Sequence, residues 1–351
     1  MPRPSNILKK ISVIIAAAAI GGLIWGGLYL ATPPARRTAV FTVAAGESTE
    51  SIMRRLKEDG LIRSVAVFKM SLQGSGMATK LQPGTFELGG VTTYRQMIER
   101  LAGGGIPANE VVLKVIEGWN LRDIKAEFGR LGLTGAAGFF DKTGEPLAEP
   151  RRSDRRPSPD LSSKFAFLAD KPASASLEGY LFPDTYRLYK DATAADVVEA
   201  MLNNFRKRLS EGDTMALIER SGRSLHDVLT MASVIEKEVR TETDRRLVAD
   251  IFWRRLEVGM ALQSCATVNY VTGKSSPAVS SEDLQVDSPY NTYKNAGLPP
   301  GPICNPGLAA IRAAVSPQPN GYWYFLTDEA GGVHYARDLD EHNRNKARYL
   351  K

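Results

Sequence analysis

Residues Ile11–Ala31 carry no charge and one weakly polar side chain, Ser12. A run like this has few places to go in a folded chain. At about 1.5 Å of rise per residue, a helix of about 21 residues matches a hydrocarbon layer of roughly 30 Å. Trp25 and Tyr29 lie toward its far end, where amphipathic rings favour the membrane–water boundary. Pro33 and Pro34 follow and would stop the helix. Arg3, Lys9 and Lys10 precede the run and Arg36 and Arg37 follow it, so the charge bias is modest and the short tail favours a cytoplasmic N-terminus. The expectation is a retained single-pass anchor at residues 11–31, a cytoplasmic tail at 1–10 and a tether at 32–40. A cleaved signal peptide, the alternative, would usually have a shorter apolar core of about 7–15 residues. The rest of the chain is then expected in the periplasm, held at the inner membrane.

The 351 residues suffice for about two further folded units. A net charge of +6 suits an anionic membrane or wall polymer as well as nucleic acid. No zinc-finger spacing or other nucleic-acid signature accompanies it, so nucleic acid is set aside. Two cysteines, Cys265 and Cys304, are too few for a disulfide framework, and three histidines, His226, His334 and His342, lack paired-ligand spacing. No metal site is therefore expected.

Periodicity divides the remainder into a small α+β unit at 41–105 and a larger mixed α/β domain at 106–351. In the first, Phe41–Ala44 reads as a strand and Ser48 or Thr49 opens a helix through Leu56. A helix around Val65–Leu72, an extended Leu81–Leu88 and an amphipathic Tyr94–Leu101 complete it. In the second, Glu110–Ile116 reads as a strand, and Asn120 caps a helix over Leu121–Leu131. Between Gly144 and Ser163 the composition turns to Pro, Ser and Arg, which predicts a solvated, mobile insertion. Helical patterns return at Ala194–Leu209, Met215–Ser221, Leu225–Arg240 and Thr243–Glu257. Asn305-Pro306 reads as an N-cap with proline at the first helical position. A hairpin over Tyr322–Tyr335 and a polar helix over Asp338–Tyr349 end the chain.

One helix holds an anomaly. At about 100° per residue, Leu225, Val228, Leu229, Ala232, Ile235 and Val239 fall within an arc of roughly 120°. Glu236 falls inside that stripe, whereas Asp227, Lys237 and Glu238 lie off it, and Glu238 reads as a solvated surface residue. A carboxylate on an apolar face is costly unless paired or protonated. Protonated, it suits the general acid that a poor leaving group such as a glycosidic oxygen needs. Paired, it is a structural ion pair with Arg245 or Arg246 of the following helix. The pattern alone leaves both open.

The segment Met231-Ala232-Ser233-Val234-Ile235-Glu236-Lys237-Glu238 resembles the signature helix of the endolytic murein transglycosylases, the YceG-like family. Further matching segments follow the expected order: Ser176–Tyr186, Leu262–Val268, Ser288–Tyr293, Gly297–Gly307 and the terminal Glu341-His342-Asn343. The resemblance runs from about residue 40 to the end. It implies that Glu236 is the catalytic residue and that 41–105 is a LysM-like glycan-binding module. By their own chemistry, Glu178, Gln263, Ser264 and Thr267 are polar groups suited to sugar hydroxyls or N-acetyl groups, and Tyr290, Asn291 and Tyr293 suit either a sugar-stacking loop or ordinary loop packing. Glu178 and Asp184 suit either sugar hydroxyls or backbone turns. Cys265 and Cys304 both lie in these motifs, and an oxidising compartment would let them form one disulfide.

The implied reaction needs no cofactor. Glu236 protonates the oxygen between N-acetylmuramic acid and N-acetylglucosamine. It then takes the proton of the muramoyl C6 hydroxyl, whose oxygen attacks C1 and leaves a 1,6-anhydro end. Peptidoglycan strands and the membrane are the expected partners, with peptidoglycan synthases as neighbours. Two other readings stand beside this one: a hydrolase of the same polymer, using a second carboxylate such as Glu178 or Asp184, and a non-enzymatic, wall-binding scaffold.

Overall fold

A computed structural model describes residues 32–34, 39–44, 46–77, 81–103, 110–146, 158–274 and 279–350. The expected anchor at 11–31 lies outside them. Among the described residues, no helix is long and apolar enough to cross a membrane. The chain forms two compact units, Met1–Val111 and Val112–Lys351.

The first unit is built on strands β1 (Val40–Val43) and β2 (Gly84–Glu87), antiparallel with Phe41 opposite Phe86. Period-2 alternation turns Phe41, Val43 and Phe86 inward. Helices α1 (Thr49–Glu58) and α2 (Val65–Gly74) fill the long connection, and α3 (Tyr94–Ala102) follows β2. Each starts where its sequence provides a hydroxyl cap: Ser48 accepts from Ser51 N, Ser64 from Val67 N and Thr93 from Gln96 N. Ile52, Leu56, Phe68, Leu72, Ile98 and Leu101 form the core. Phe68 meets Tyr94 edge-on, with ring centroids 5.3 Å apart. The turn into α1 is fixed by Glu47, which receives Ala44 N, the Ser51 hydroxyl and Arg55 Nη1. Burial alone would raise the Glu47 carboxyl, but these donors together hold it below its ordinary value.

The second unit is mostly helical. Strands β3 (Glu110–Lys114) and β4 (Thr185–Tyr189) form one two-stranded sheet, and β5 (Tyr324–Thr327) pairs antiparallel with β6 (Val333–Ala336) in a hairpin. Nine helices accompany them among the described residues: α4 (Leu121–Arg130), α5 (Phe139–Thr143), α6 (Ala194–Ser210), α7 (Thr214–Ser221), α8 (Leu225–Glu238), α9 (Glu242–Glu257), α10 (Cys265–Thr272), α11 (Leu308–Val315) and α12 (Leu339–Tyr349). Helix α8 is the axis of the unit. Every residue from Leu225 to Ile235 is buried except Asp227, so it is enclosed on all sides rather than along one stripe. Helix α11 packs against both α8 and α9. Its buried Ala310, Ala313 and Ala314 let the backbones approach closely.

Two expectations change here. Helix α8 ends at Glu238 rather than Arg240, because Val239 is already extended (φ −144°, ψ 156°). Helix α11 begins at Leu308 with Gly307 as its cap, so Asn305 is not an N-cap. Of the insertion at 144–163, residues 147–157 lie outside the described residues, and after Ser158 the chain from Pro159 to Ser163 is exposed or half-exposed. Ser158 is buried, with Oγ donating to Ala175 O at 3.2 Å.

Truncating the ring that joins α2 to α3 tests the first unit. Phe68→Ala is expected to cost about 3–5 kcal/mol, because a rigid, fully buried site cannot collapse around the lost ring. A urea titration of the variant should show a lower midpoint with an unchanged slope.

Candidate active site

Glu236 sits in the last turn of α8, just after the run of buried residues Val228–Ile235; its side chain is 6% exposed. Two donors hold the carboxylate. Arg245 Nη2, from the first turns of α9, donates to Oε1 at 2.6 Å, and Gly307 N donates to Oε2 at 3.0 Å. The short Val239–Thr241 turn folds α9 back so that an arginine nine residues on reaches the glutamate. Gly307 caps α11, so that helix directs its partial positive end at Glu236. The charge on Glu236 is therefore paired, as one of the two readings of the pattern required. The acid role calls for that pairing to be released.

A second carboxylate, which the sequence reading missed, lies against the first. Glu117 follows β3 in the turn Ile116-Glu117-Gly118-Trp119, and its carboxyl group occupies the space where a Gly307 side chain would be. Burial raises the Glu117 carboxyl, the charge of Glu236 raises it further, and Arg245 opposes both. A signal was present: an acidic residue followed by glycine at the C-terminal end of a strand, where functional loops gather. Gly118 is left-handed (φ +83°), and a Cβ there would meet Lys237 Cδ at 3.5 Å and Glu236 Cγ at 3.8 Å. Lys237 Nζ donates to Gly118 O at 3.4 Å.

Asn305, fully buried, holds this turn in place. Its backbone N–H donates to Trp119 O at 2.7 Å, and its carbonyl accepts Gly118 N at 3.0 Å. Its side-chain Oδ1 accepts Gly179 N and Leu181 N, while Nδ2 donates to Trp119 O and Glu178 Oε1. Glu178 is 2% exposed and receives Leu121 N at 3.1 Å and the Tyr270 hydroxyl at 3.2 Å as well. It satisfies the first N–H of α4 and ties together several chain segments, so the expected sugar contact gives way to a framework role. Asp184 likewise serves the fold: it pairs with Arg208 Nη2 at 2.7 Å and receives Asn204 Nδ2 and Thr185 N.

Of the other expected substrate residues, Ser264 bonds directly to Glu238. Glu238 is not a solvated surface group: it accepts the Ser264 hydroxyl and the Ala266 N–H, and burial raises its carboxyl despite those bonds. Ser264 N donates to Thr292 Oγ1 at 3.0 Å, and Thr267 Oγ1 meets the same hydroxyl at 2.9 Å. Asn291 spends its amide on Leu284 O and Val286 O and its Oδ1 on Tyr293 N. Tyr290 packs on Tyr270, with centroids 5.1 Å apart. Ser264, Thr267, Tyr290 and Asn291 are thus buried framework rather than an open sugar surface. Gln263 and Tyr293 differ: Gln263 is exposed and Tyr293 half-buried. Gln263 is also the one non-glycine residue with positive φ (+53°) among the described residues, a strain of about 1–2 kcal/mol that commonly marks a functional position.

The cysteines are not bridged. Cys304 is buried and donates to Ser233 O at 3.3 Å, whereas Cys265 Sγ meets the Tyr293 hydroxyl at 3.1 Å. Each thiol has its own partner, and burial raises both. Among the described residues, no group of three or more His, Cys, Asp or Glu is placed to hold a metal ion.

Comparison with known proteins adds the following. The profile of the YceG-like family matches residues 41–348. A Bacillus subtilis (strain 168) protein named endolytic murein transglycosylase is 32% identical over 335 residues, covering 94% of this chain and 91% of its own. A protein of the same name from Streptococcus pneumoniae serotype 2 (strain D39) is 30% identical over 325 residues, 88% of this chain but 58% of the pneumococcal one. The crystal structure of a yceG-like protein from Listeria monocytogenes superposes with a TM-score of 0.60 at 28% identity, covering 88% of this chain and 98% of that one.

The buried Glu178 gives a pH test of the framework. Burial pushes its carboxyl from the ordinary 4.5 up to about 8, against the hydrogen bonds from Leu121 and Tyr270 and the charge of Arg122. Between those values the folded protein holds a proton that the unfolded chain releases. The stability it contributes is complete below about pH 4.5 and is lost as pH rises through about 8. Glu178→Gln copies the neutral acid. Urea midpoints from pH 5 to 9 should fall less steeply for the variant than for the wild type; parallel curves would show that Glu178 carries no such proton.

Proposed function

The chain belongs to the YceG-like family, and on that footing we propose that it is a membrane-anchored, endolytic lytic transglycosylase of peptidoglycan, with Glu236 as its single acid/base. The observation that carries the catalytic assignment is the position of Glu236. It is an acidic side chain at the exit of a buried helix, held by one arginine and one N–H at a helix end. Relatives that align along most of this chain are named endolytic murein transglycosylases.

The chemistry runs in two proton transfers. Protonated Glu236 donates to the glycosidic oxygen as the bond from muramoyl C1 breaks, and the N-acetylglucosamine unit leaves with a free 4-hydroxyl. The resulting Glu236 carboxylate accepts the proton of the muramoyl C6 hydroxyl while that oxygen bonds to C1. The product is a 1,6-anhydro end, the enzyme recovers its proton, and neither water nor a cofactor is consumed. Arg245 and the Gly307 N–H suit the carboxylate stage.

The first unit serves in this reading as a LysM-like glycan-holding module; its β1-α1-α2-β2 order is compatible with that role. Residues 11–31 anchor the protein in the inner membrane with the catalytic unit in the periplasm. The tether then confines cutting to strands near the membrane, where nascent strands leave their synthases and cleavage would end their elongation. Hydrolysis is the second reading, favoured by one observation, the Glu117 carboxyl beside Glu236, since hydrolases usually work with two carboxylates.

Purified sacculi digested by the full chain should yield 1,6-anhydro-muramoyl ends by mass spectrometry. Glu236→Gln should lose at least about 10²–10⁴-fold in rate, the usual contribution of a general acid/base. Reducing ends in place of anhydro ends would establish hydrolysis instead. Undiminished cutting by Glu236→Gln would remove the catalytic assignment.

A further inference from the structure

Glu236 faces a conflict of roles. The acid step needs a proton on it, yet both of its partners donate hydrogen bonds and so suit the carboxylate. The Gly307 N–H is fixed by the start of α11. Arg245 is different, being a long side chain held to Glu236 through one nitrogen. Its Nε is a buried donor with no acceptor, an orphan among the described residues. A guanidinium is always charged and prefers two acceptors in a fork. Here half of that capacity is unused.

A candidate for the other half is Glu117. Its carboxyl lies against Gly307 Cα, beside the N–H that holds Glu236, and it feels the charges of both Glu236 and Arg245. Other charged groups lie close by: Lys237, whose Nζ donates to Gly118 O, Glu178, which is joined to the turn through Asn305, and Asp123, whose charge with theirs acts on Cys304. The thiol of Cys304 is buried, and burial raises it. Glu117 itself is exposed at its outer edge. It can follow a moving guanidinium without first breaking a buried network of the kind that locks Glu178.

We propose that Glu117 is the alternate acceptor for Arg245, a positioning residue that draws the guanidinium off Glu236 during the acid step and gives it back during the base step. With Arg245 on Glu117, Glu236 holds its proton and turns it to the glycosidic oxygen. As that proton leaves, the new Glu236 charge attracts Arg245 back. Uptake of the C6-hydroxyl proton then releases the guanidinium again. No proton is gained or lost over the cycle. This rests on the transglycosylase reading and explains how one carboxylate serves it twice.

The test measures kcat and KM on soluble glycan strands across pH 5–9, using the full chain. In Glu117→Gln, a neutral amide cannot compete for the guanidinium. The alkaline limb of the kcat/KM profile should move down by about one pH unit, giving about tenfold less activity at pH 8 and little change at pH 5. KM and the thermal midpoint should stay near wild type. Raising salt should shrink the difference, since a partly exposed charge is screened. Glu117→Asp should restore part of the shift. Gly307→Ala supplies an independent perturbation. Its backbone (φ −75°, ψ 166°) accepts any residue, and the new methyl displaces the Glu117 carboxyl while the Gly307 N–H remains. It should move the limb in the same direction. An unmoved limb in both variants, or a uniform loss at every pH with a lowered thermal midpoint, overturns the inference. Neither result touches the catalytic assignment, which stands or falls with Glu236→Gln.

Discussion

The side chain of Asn305 is the constraint on which the catalytic unit depends. One amide accepts two N–H groups from the Gly179–Leu181 turn and donates to Trp119 O and Glu178, while its backbone closes a pair with Gly118 and Trp119. These bonds join segments from three distant parts of the chain: the turn that carries Glu117, the turn that carries Glu178 and the loop that ends in Gly307. The side-chain bonds to Gly179, Leu181 and Glu178 are buried, where an unmet polar group costs about 1–3 kcal/mol, so the arrangement is close to all-or-none. Removing the amide would strand acceptors and donors in each turn at once. Gly179 explains why such close approach is available. Its φ is +85°, and a Cβ there would collide with the Pro302 ring.

The enclosure of α8 is the second consequence. From Val228 to Ile235 every residue of this helix is buried, so an ionisable group there would be costly, and Glu236 comes just after that run, where the helix ends. There it meets the N-terminal side of α11 and the first turns of α9. Both are electrostatically suited to an anion, the first through its helix end and the second through Arg245. The chain thus places one acidic group where the fold supplies positive potential from two directions.

Much of this is legible in the sequence, for reasons that also mark its limits. The cap residues Ser48 and Asn120 locate helix starts because their side-chain oxygens meet local N–H groups. Glu236 is visible as a carboxylate out of phase with its neighbours. The end of α8 is not, because Val239 continues the apolar period while its backbone is already extended. Asn305-Pro306 imitates a capping signal, but its amide is taken by bonds to residues more than a hundred positions away, which no local pattern records. The disulfide expectation fails for a similar reason: sharing motifs does not make two thiols neighbours, and each finds another partner. Glu117 escapes because its significance lies in what Gly307 lacks, a side chain, and that complementarity appears only when the two loops meet.

The same chain holds three glutamates in three environments, and the contrast shows what an acid/base needs. Glu178 is fully enclosed, with Leu121, Asn305 and Tyr270 all directed at it, and burial keeps its proton up to about pH 8. Changing its charge would disturb every turn it joins. Glu238 is raised by burial as well, and its acceptors are spent on Ser264 and Ala266. Neither can gain or lose a proton without rearranging fixed structure. Glu236 has only one fixed donor, the Gly307 N–H, and its other partner is a flexible side chain with an unused donor. A single group that must be acid and then base needs partners that can change within one turnover, and of the three only Glu236 has one.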